Sequence, residues 1–313
     1  MKGVKNLLKF NGKETALTNY TVGEDLNYCQ LTEGIVYIHQ LLAQHGISAH
    51  DRVLITNEGT AEWAIKLVGA VTYGAVAVVI PDGVDNETRS CLMAESDAVL
   101  DFDSIELDKD FTNMKGETPA DFSVRDFSLS DVIMIDYTKD LAWRKFLGND
   151  ELKHETVRVS DVIKAARGIK TRYESLRHSR IPSLFLANNS CIDATDVLAA
   201  FSIGAHLTLA GTRPSLGTML KCVKKCRPHF VYLDKNTAER MIRERIYPLM
   251  YNSDTSAYMR SAHARRTIYK QIRKRMMFAL GGCLMIVCVT GGNRFSPDIE
   301  SFLQKIDFPY QMV

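Results

Sequence analysis

Along residues 24–45 (EDLNYCQLTEGIVYIHQLLAQH) the apolar positions Leu26, Leu31, Ile35, Ile38, Leu41 and Leu42 fall at the spacing of one helical stripe. Gly46 supplies a natural stop for that helix. The period then changes. DRVLITN reads as a short strand, AEWAIKLVGAVTYG as a helix with Gly74 near its C-cap, and AVAVVIP as an unbroken apolar run. A run without a polar face suits a strand covered on both sides. DNETRSCLMAESD predicts a helix capped by Asp85 or Asn86, AVLDFD a further strand, and residues 103–130 a polar, acidic surface excursion. DVIMIDYT, starting at Asp131, again reads as a buried strand.

Residues 144–180 are dense in charge, and within them Val162, Ile163, Ala166 and Ile169 mark one side of an amphipathic helix with Ser160 as its cap. Alternation then resumes. SLFLAN is a strand, ATDVLAAFSIG a helix closed by Gly204, AHLTLAG a strand, SLGTMLKCVKKCRP a helix ended by Pro228, and HFVYLD a strand. Residues 236–250 and 261–280 read as helices, and CLMIVCVTGG as a strand and turn. SPDIESFLQKI predicts a helix with Ser296 at the cap and Pro297 at its first position, and DFPYQMV leads into a strand. The alternation predicts an α/β fold of mostly parallel sheets with helices on both faces. AVAVVIP, VIMIDY and MIVCVT should be its most buried strands.

Composition narrows the function classes. A chain of 313 residues can bury a sizeable core, and its net charge of +2 argues neither for a nucleic-acid binder nor for an acidic, solvating protein. The start, MKGVKNLLKFNGKE, lacks a signal-peptide apolar core, and MMFALGGCLMIVCVTGG is too short for a membrane span. Seven cysteines without a secretory leader predict reduced thiols in a cytoplasmic protein. Cys222 and Cys226 lack a second pair at zinc-like spacing, so they read as structural and no metal site is assigned. The basic stretch RSAHARRTIYKQIRKR reads as a solvated helix face with Ile268, Ile272 and Met276 packing inward. His206 and His229 have no carboxylate nearby in sequence and read as structural; no nucleophile-elbow string occurs.

Candidate chemistry lies where DVIMIDYT ends, since α/β proteins place phosphate-binding loops at such strand ends. The chain continues instead with Lys139, Asp140, Leu141, Ala142 and Trp143, which offer neither glycine nor hydroxyl. Four sets of strings, in this order, carry a resemblance: GISAHDRVLITNEGTAEWAIKLVGAVTYGAVAVVIP; DVIMIDYT; FSIGAHLTL with RPHFVYL; and VTGGNRFSPDIESFLQKIDFPY. Together they resemble the large domain of the adenylate-forming (AMP-binding, acyl-CoA synthetase) superfamily, with bacterial long-chain fatty acid–CoA ligases as the most similar subgroup.

The resemblance implies residues 1–313 as a truncated AMP-binding large domain. Residues 1–130 are a first α/β block, 131–180 a degenerate phosphate-loop region and 181–313 a second α/β block, with the small C-terminal domain absent. It also implies that Thr138 heads a Ser/Thr/Gly-rich triphosphate loop, followed shortly by a lysine; the loop positions are replaced here, and Lys145 still offers a positive charge but does not by itself rebuild the cradle. The family's His/aromatic turn falls on Asn189, Ser190, Cys191 and Ile192, which keep none of its character. Gly291 and Gly292 match a Gly-Gly-Ala turn against adenine, with Asn293 in place of the Ala. The cofactor-binding candidates are thus Thr138, Gly291, Gly292 and Asn293, with no catalytic and no metal residue. ATP or AMP and magnesium are implied by the family, but none is expected to serve here, because the magnesium-binding Tyr-Gly-x-Thr-Glu segment would follow Tyr310 and the sequence stops at Val313.

Two functions follow as expectations. One is a module that does not catalyse adenylation by itself and serves in binding or interaction. The other is one part of a split AMP-forming acid–thiol ligase completed by a partner chain. A split enzyme should keep its phosphate loop, so the replaced loop favours the first. The uncovered edge at DFPY predicts self-association or a protein partner, with no nucleic-acid partner and no membrane span.

Overall fold

The computed structural model describes residues 7–20, 23–105, 107, 124–138, 153–175, 182–187, 193–211, 214–250, 262–284, 286–290 and 294–312. Its first elements are β1 (Thr15–Asn19), β2 (Glu24–Asn27), α1 (Tyr28–Gln44), β3 (Arg52–Asn57), α2 (Ala61–Tyr73), β4 (Val76–Pro81), α3 (Asn86–Glu95) and β5 (Ala98–Asp101). Next come β6 (Val132–Asp136), β7 (Glu155–Arg158), α4 (Val159–Ser175), β8 (Ser183–Ala187), α5 (Ala194–Ser202), β9 (His206–Leu209), α6 (Leu216–Cys226) and β10 (Phe230–Asp234). The last are α7 (Lys235–Met241), a π-helical turn (Ile242–Ile246), α8 (Tyr247–Met250), α9 (Ala262–Ala279), β11 (Ile286–Thr290), α10 (Pro297–Lys305) and β12 (Tyr310–Met312). The chain forms two compact units: Met1–Ile181 with Ser190–Thr212, and Pro182–Asn189 with Arg213–Val313.

The first unit is built on a sheet of order β5-β3-β4-β6-β7. Its pairings are parallel except for β7, which runs antiparallel to β6. All six residues of β4 are buried, which is why the sequence there has no polar face. Leu54, Val78, Ile80, Leu92, Ile135 and Tyr137 form one apolar cluster against it. Helix α2 starts where the Thr60 hydroxyl accepts the Trp63 N–H and ends on Gly74 at φ +103°, a conformation that favours glycine. It packs closely on α1: a Cβ on Gly69 would lie 2.5 Å from Ile38 Cγ2 and 2.7 Å from Ile38 Cβ. In the same unit β1 pairs antiparallel with β2 and parallel with β9.

Two helix starts differ from the sequence reading. Helix α1 begins at Tyr28, because Asn27 and Gln30 close a reciprocal capping box, and Glu24–Asn27 is spent as a strand against β1. Leu26 is buried from that strand and not from the helix. Ser160 does not cap α4, which already begins at Val159. The N–H groups of Val159 and Ser160 bond instead to the carbonyls of Asp131 and Leu129, both at 3.1 Å.

In the second unit β8, β10, β11 and β12 run parallel, in the order β12-β11-β10-β8. Helix α6 stops on Arg227 at φ +49°, and Gly281 at φ +91° packs against it so closely that a Cβ would lie 2.7 Å from Arg227 Cα. Ser296 precedes α10 as expected, but makes no side-chain cap; its hydroxyl accepts from Arg243 Nη2 at 2.9 Å. β12 lies at the outer edge of its run of strands. Among the described residues, no helix is long and apolar enough to cross a membrane.

Candidate functional site

Of the four cofactor-binding candidates, the described residues include Thr138 alone. Gly291, Gly292 and Asn293 lie outside them, as do Lys139 to Lys145 and Asn189 to Ile192. Thr138 sits at the C-terminal end of β6, just past Asp136, and both are buried. Its N–H donates to Asp136 Oδ1 at 2.7 Å, and the N–H of Tyr137 donates to Val79 O at 2.9 Å. The Tyr137 ring lies 5.2 Å from the His154 ring, and burial pushes the Tyr137 hydroxyl pKa up. A buried carboxylate therefore sits at the entrance to the loop and holds one of its first backbone donors.

A second feature at the carboxyl ends of the strands had no signature in the sequence. Arg89 of α3 grips Asp101 through Nε and through Nη2, the latter at 2.5 Å from Oδ1. The same Nη2 reaches Asp103 Oδ2 at 2.5 Å, and Nη1 donates to Thr56 Oγ1 at 2.8 Å. Lys66 of α2 pairs with Glu62 at 2.7 Å and with Asp103 at 3.6 Å, its ammonium 5.8 Å from the Phe102 ring centroid. The hydrogen bonds that Arg89 donates to Asp101, opposed by burial, raise the pKa of Arg89 further, and burial raises that of Glu58 against the pull of Lys66. Open α/β sheets bind ligands at this edge. Here the protein's own side chains fill it, tying α2, α3, β3 and β5 together. The residues lie on separate elements at no regular spacing, so sequence reasoning could not assemble them.

The histidines are placed as strand ties. His206 Nε2 lies 2.9 Å from Thr18 Oγ1, whose hydroxyl donates to Asp25 Oδ1 at 2.6 Å. Burial lowers the His206 pKa and Asp25 opposes the shift. The carboxylate not found nearby in sequence thus reaches His206 through Thr18, across β9, β1 and β2. His229 Nδ1 accepts the Ser183 N–H at 3.1 Å. Among the described residues no group of three or more His, Cys, Asp or Glu side chains could hold a metal. Hydrogen bonding from Cys226 together with burial pushes the Cys222 thiol pKa up, so that thiol stays protonated.

Comparison with known proteins places this architecture. The family model for AMP-binding enzymes matches residues 6–162. No curated protein sequence matches the chain significantly. Among solved structures, the N-terminal subdomain of Klebsiella oxytoca NpsA superposes with a TM-score of 0.63 at 14% identity, over 95% of this chain and 68% of that one. O-succinylbenzoate coenzyme A synthetase (MenE) from Bacillus subtilis, in complex with AMP, gives a TM-score of 0.61 at 11% identity, over 96% and 69%. The nonribosomal peptide synthetase FmoA3, in its AMPPNP-bound form, gives 0.63 at 15% identity over 94% of this chain. The chain spans 28% of FmoA3 and 54% of NpsA in its complex with 3-hydroxyanthranilyl-AMSN. At these identities the likeness shows the fold, and it agrees with the α/β class of mostly parallel sheets read from the sequence.

Proposed function

The chain belongs to the AMP-binding enzyme family, and from that premise we propose that it is a binding or interaction module of the long-chain acyl-CoA ligase type that does not adenylate fatty acids by itself. The observation that carries this reading is the head of the loop after β6. Thr138 N–H is committed to the buried Asp136 carboxylate at 2.7 Å, so it is not offered to a phosphate, and a negative charge stands at the entrance. Beyond it, Lys139, Asp140, Leu141, Ala142 and Trp143 replace the residues that would let backbone N–H groups close around a triphosphate. The residues at this strand end do not fit ATP with magnesium. Losing one set of contacts to developing charge costs roughly 10²–10³ in rate, and here a whole cradle is replaced. Weak nucleotide contact at Gly291, Gly292 and Asn293 is compatible with this reading. The described cysteines are free thiols, which supports a reducing, cytoplasmic setting.

The edge strand β12 favours a second reading, in which a partner chain completes an AMP-forming acid–thiol ligase. The deciding experiment is a pyrophosphate-release assay with several fatty acids, alongside calorimetric titration with ATP and a palmitoyl-adenylate mimic. No release and at most weak heat are expected from the isolated chain. Magnesium-dependent release that follows fatty-acid concentration would overturn the proposal. Release that appears only on adding a second chain would select the split ligase.

A further inference from the structure

Two neighbouring helices of the second unit carry cations and no carboxylates. Helix α9 (AHARRTIYKQIRKRMMFA) has six Lys or Arg and α6 (LGTMLKCVKKC) has three, with no Asp or Glu in either. Of the three residues the sequence spacing placed inward, Ile272 and Met276 are buried and Ile268 is half-buried. The opposite side is more than a solvated face. Arg266, Lys270 and Lys274, spaced four apart, form an exposed stripe, and the next position along it is Phe278, 66% exposed. The stripe runs for about 18 Å along the helix. Lys224 of α6 reaches across to Phe278, its Nζ 5.4 Å from the ring centroid. On the inward side of α9, where Ile272 and Met276 lie, an apolar groove of about 70 Å³ is lined by Leu220, Met241, Met276 and Leu280 together with Arg245 and Arg275. Among the described residues, Asp307 pairs with Arg273, and Glu244 pairs with Arg240 at 3.8 Å.

A hydrophilic helix face gains nothing from a phenylalanine held out in water among cations. A boundary between charged headgroups and hydrocarbon rewards that combination, since the cations meet phosphates while the aromatic ring enters the acyl region. Nucleic acid would use the cations equally well. It would leave the exposed Phe278 ring without a role, since a duplex backbone offers no apolar region for it, and Phe278 is the single aromatic on the stripe. We propose that α9, with the C-terminal part of α6, is a docking surface for an anionic lipid bilayer. Association is peripheral: Arg266, Lys270, Lys274 and Lys224 sit on headgroups and Phe278 is inserted at the acyl boundary. The surface lies in the second unit and does not depend on whether the chain adenylates anything.

The test is sedimentation of the full chain with vesicles of phosphatidylcholine alone, or of phosphatidylcholine mixed with phosphatidylglycerol. Binding is expected to the mixed vesicles only and to fall with added salt. The Lys270→Gln/Lys274→Gln double variant should bind roughly 30-fold more weakly. Phe278→Ala should weaken binding at low and high salt alike. All three residues are exposed, so the variants should melt like the parent, and the emission of Phe278→Trp should shift to the blue on mixed vesicles. Three results would each overturn the proposal: no binding to mixed vesicles at low salt, binding indifferent to the double lysine variant, or a DNA duplex bound more tightly than the vesicles with Phe278→Ala without effect on either.

Discussion

Replacing Gly69 by alanine isolates how the helical layer of the first unit is assembled. The added Cβ would stand 2.5 Å from Ile38 Cγ2 and 2.7 Å from Ile38 Cβ. Both are stem atoms of a β-branched side chain, and Cβ is fixed to the α1 backbone, so no rotamer change clears the contact. The helices must move apart. Overpacking of this kind costs about 2–3 kcal/mol, and the better helix propensity of alanine returns about 1, leaving a net loss of about 1–2 kcal/mol. Gly168 in α4 is the internal control, because a Cβ there meets nothing within 4 Å. Gly168→Ala should therefore gain about 0.5–1 kcal/mol through propensity and unfolded-state entropy. Equilibrium urea unfolding followed by far-ultraviolet circular dichroism measures both variants. The Gly69→Ala midpoint should fall by about 0.5 M and that of Gly168→Ala should rise, with slopes unchanged. Midpoints that move in the same direction would refute the close approach of α1 and α2.

Burial lowers the pKa of His39 from 6.5 to about 4, against a hydrogen bond to Gly69. The unfolded chain therefore takes up the proton first as pH falls, and stability is full above pH 6.5 and declines until about pH 4. The loss is about 2–3 kcal/mol, and His39→Gln should flatten that part of the stability–pH curve; an unchanged slope would contradict it. Gly281→Ala forces φ +91° on an L-residue and drives a Cβ to 2.7 Å from Arg227 Cα and 2.8 Å from Val223 O. Neither backbone atom can yield, so a loss of about 2–4 kcal/mol in urea unfolding is expected, and a parent-like midpoint would disprove it. The edge strand β12 should drive concentration-dependent self-association in light scattering, reduced by Gln311→Lys; a monodisperse monomer at high concentration would count against it.

The elements read correctly from the sequence are those whose instructions are local. Helix α2 declares itself by the apolar stripe and Gly74, α3 by Asp85, and β4 by an apolar run too long for any exposed face. The misses share one physical cause. β1 and β7 are short strands whose reason to exist lies in partners elsewhere, and Leu26 satisfies a helical period and a strand period equally well. Likewise, a window around Ser296 cannot show that Arg243 takes its hydroxyl. At the candidate site the end of β6 was legible, since an apolar strand ending in Tyr137 and Thr138 marks its own terminus. The bond from Thr138 N–H to Asp136 was not, nor was the Arg89 brace, which draws on three helix or strand elements and the turn after β5.

The pairing of β1 with β9 has a consequence in time. Thr18 and His206 are separated by 188 residues, and Tyr28 reaches Ala205 across 177. At a synthesis rate of about 5–20 residues per second, the β1–β2 hairpin waits roughly 10–40 s for the strand that covers its open side. During that interval Leu17, fully buried in the finished fold, has no β9 to lie against. The first unit cannot close as the chain emerges. It closes only after the β8 strand of the second unit has already left the ribosome, so the nascent chain is most exposed to chaperones, and to aggregation, in the middle of its own synthesis.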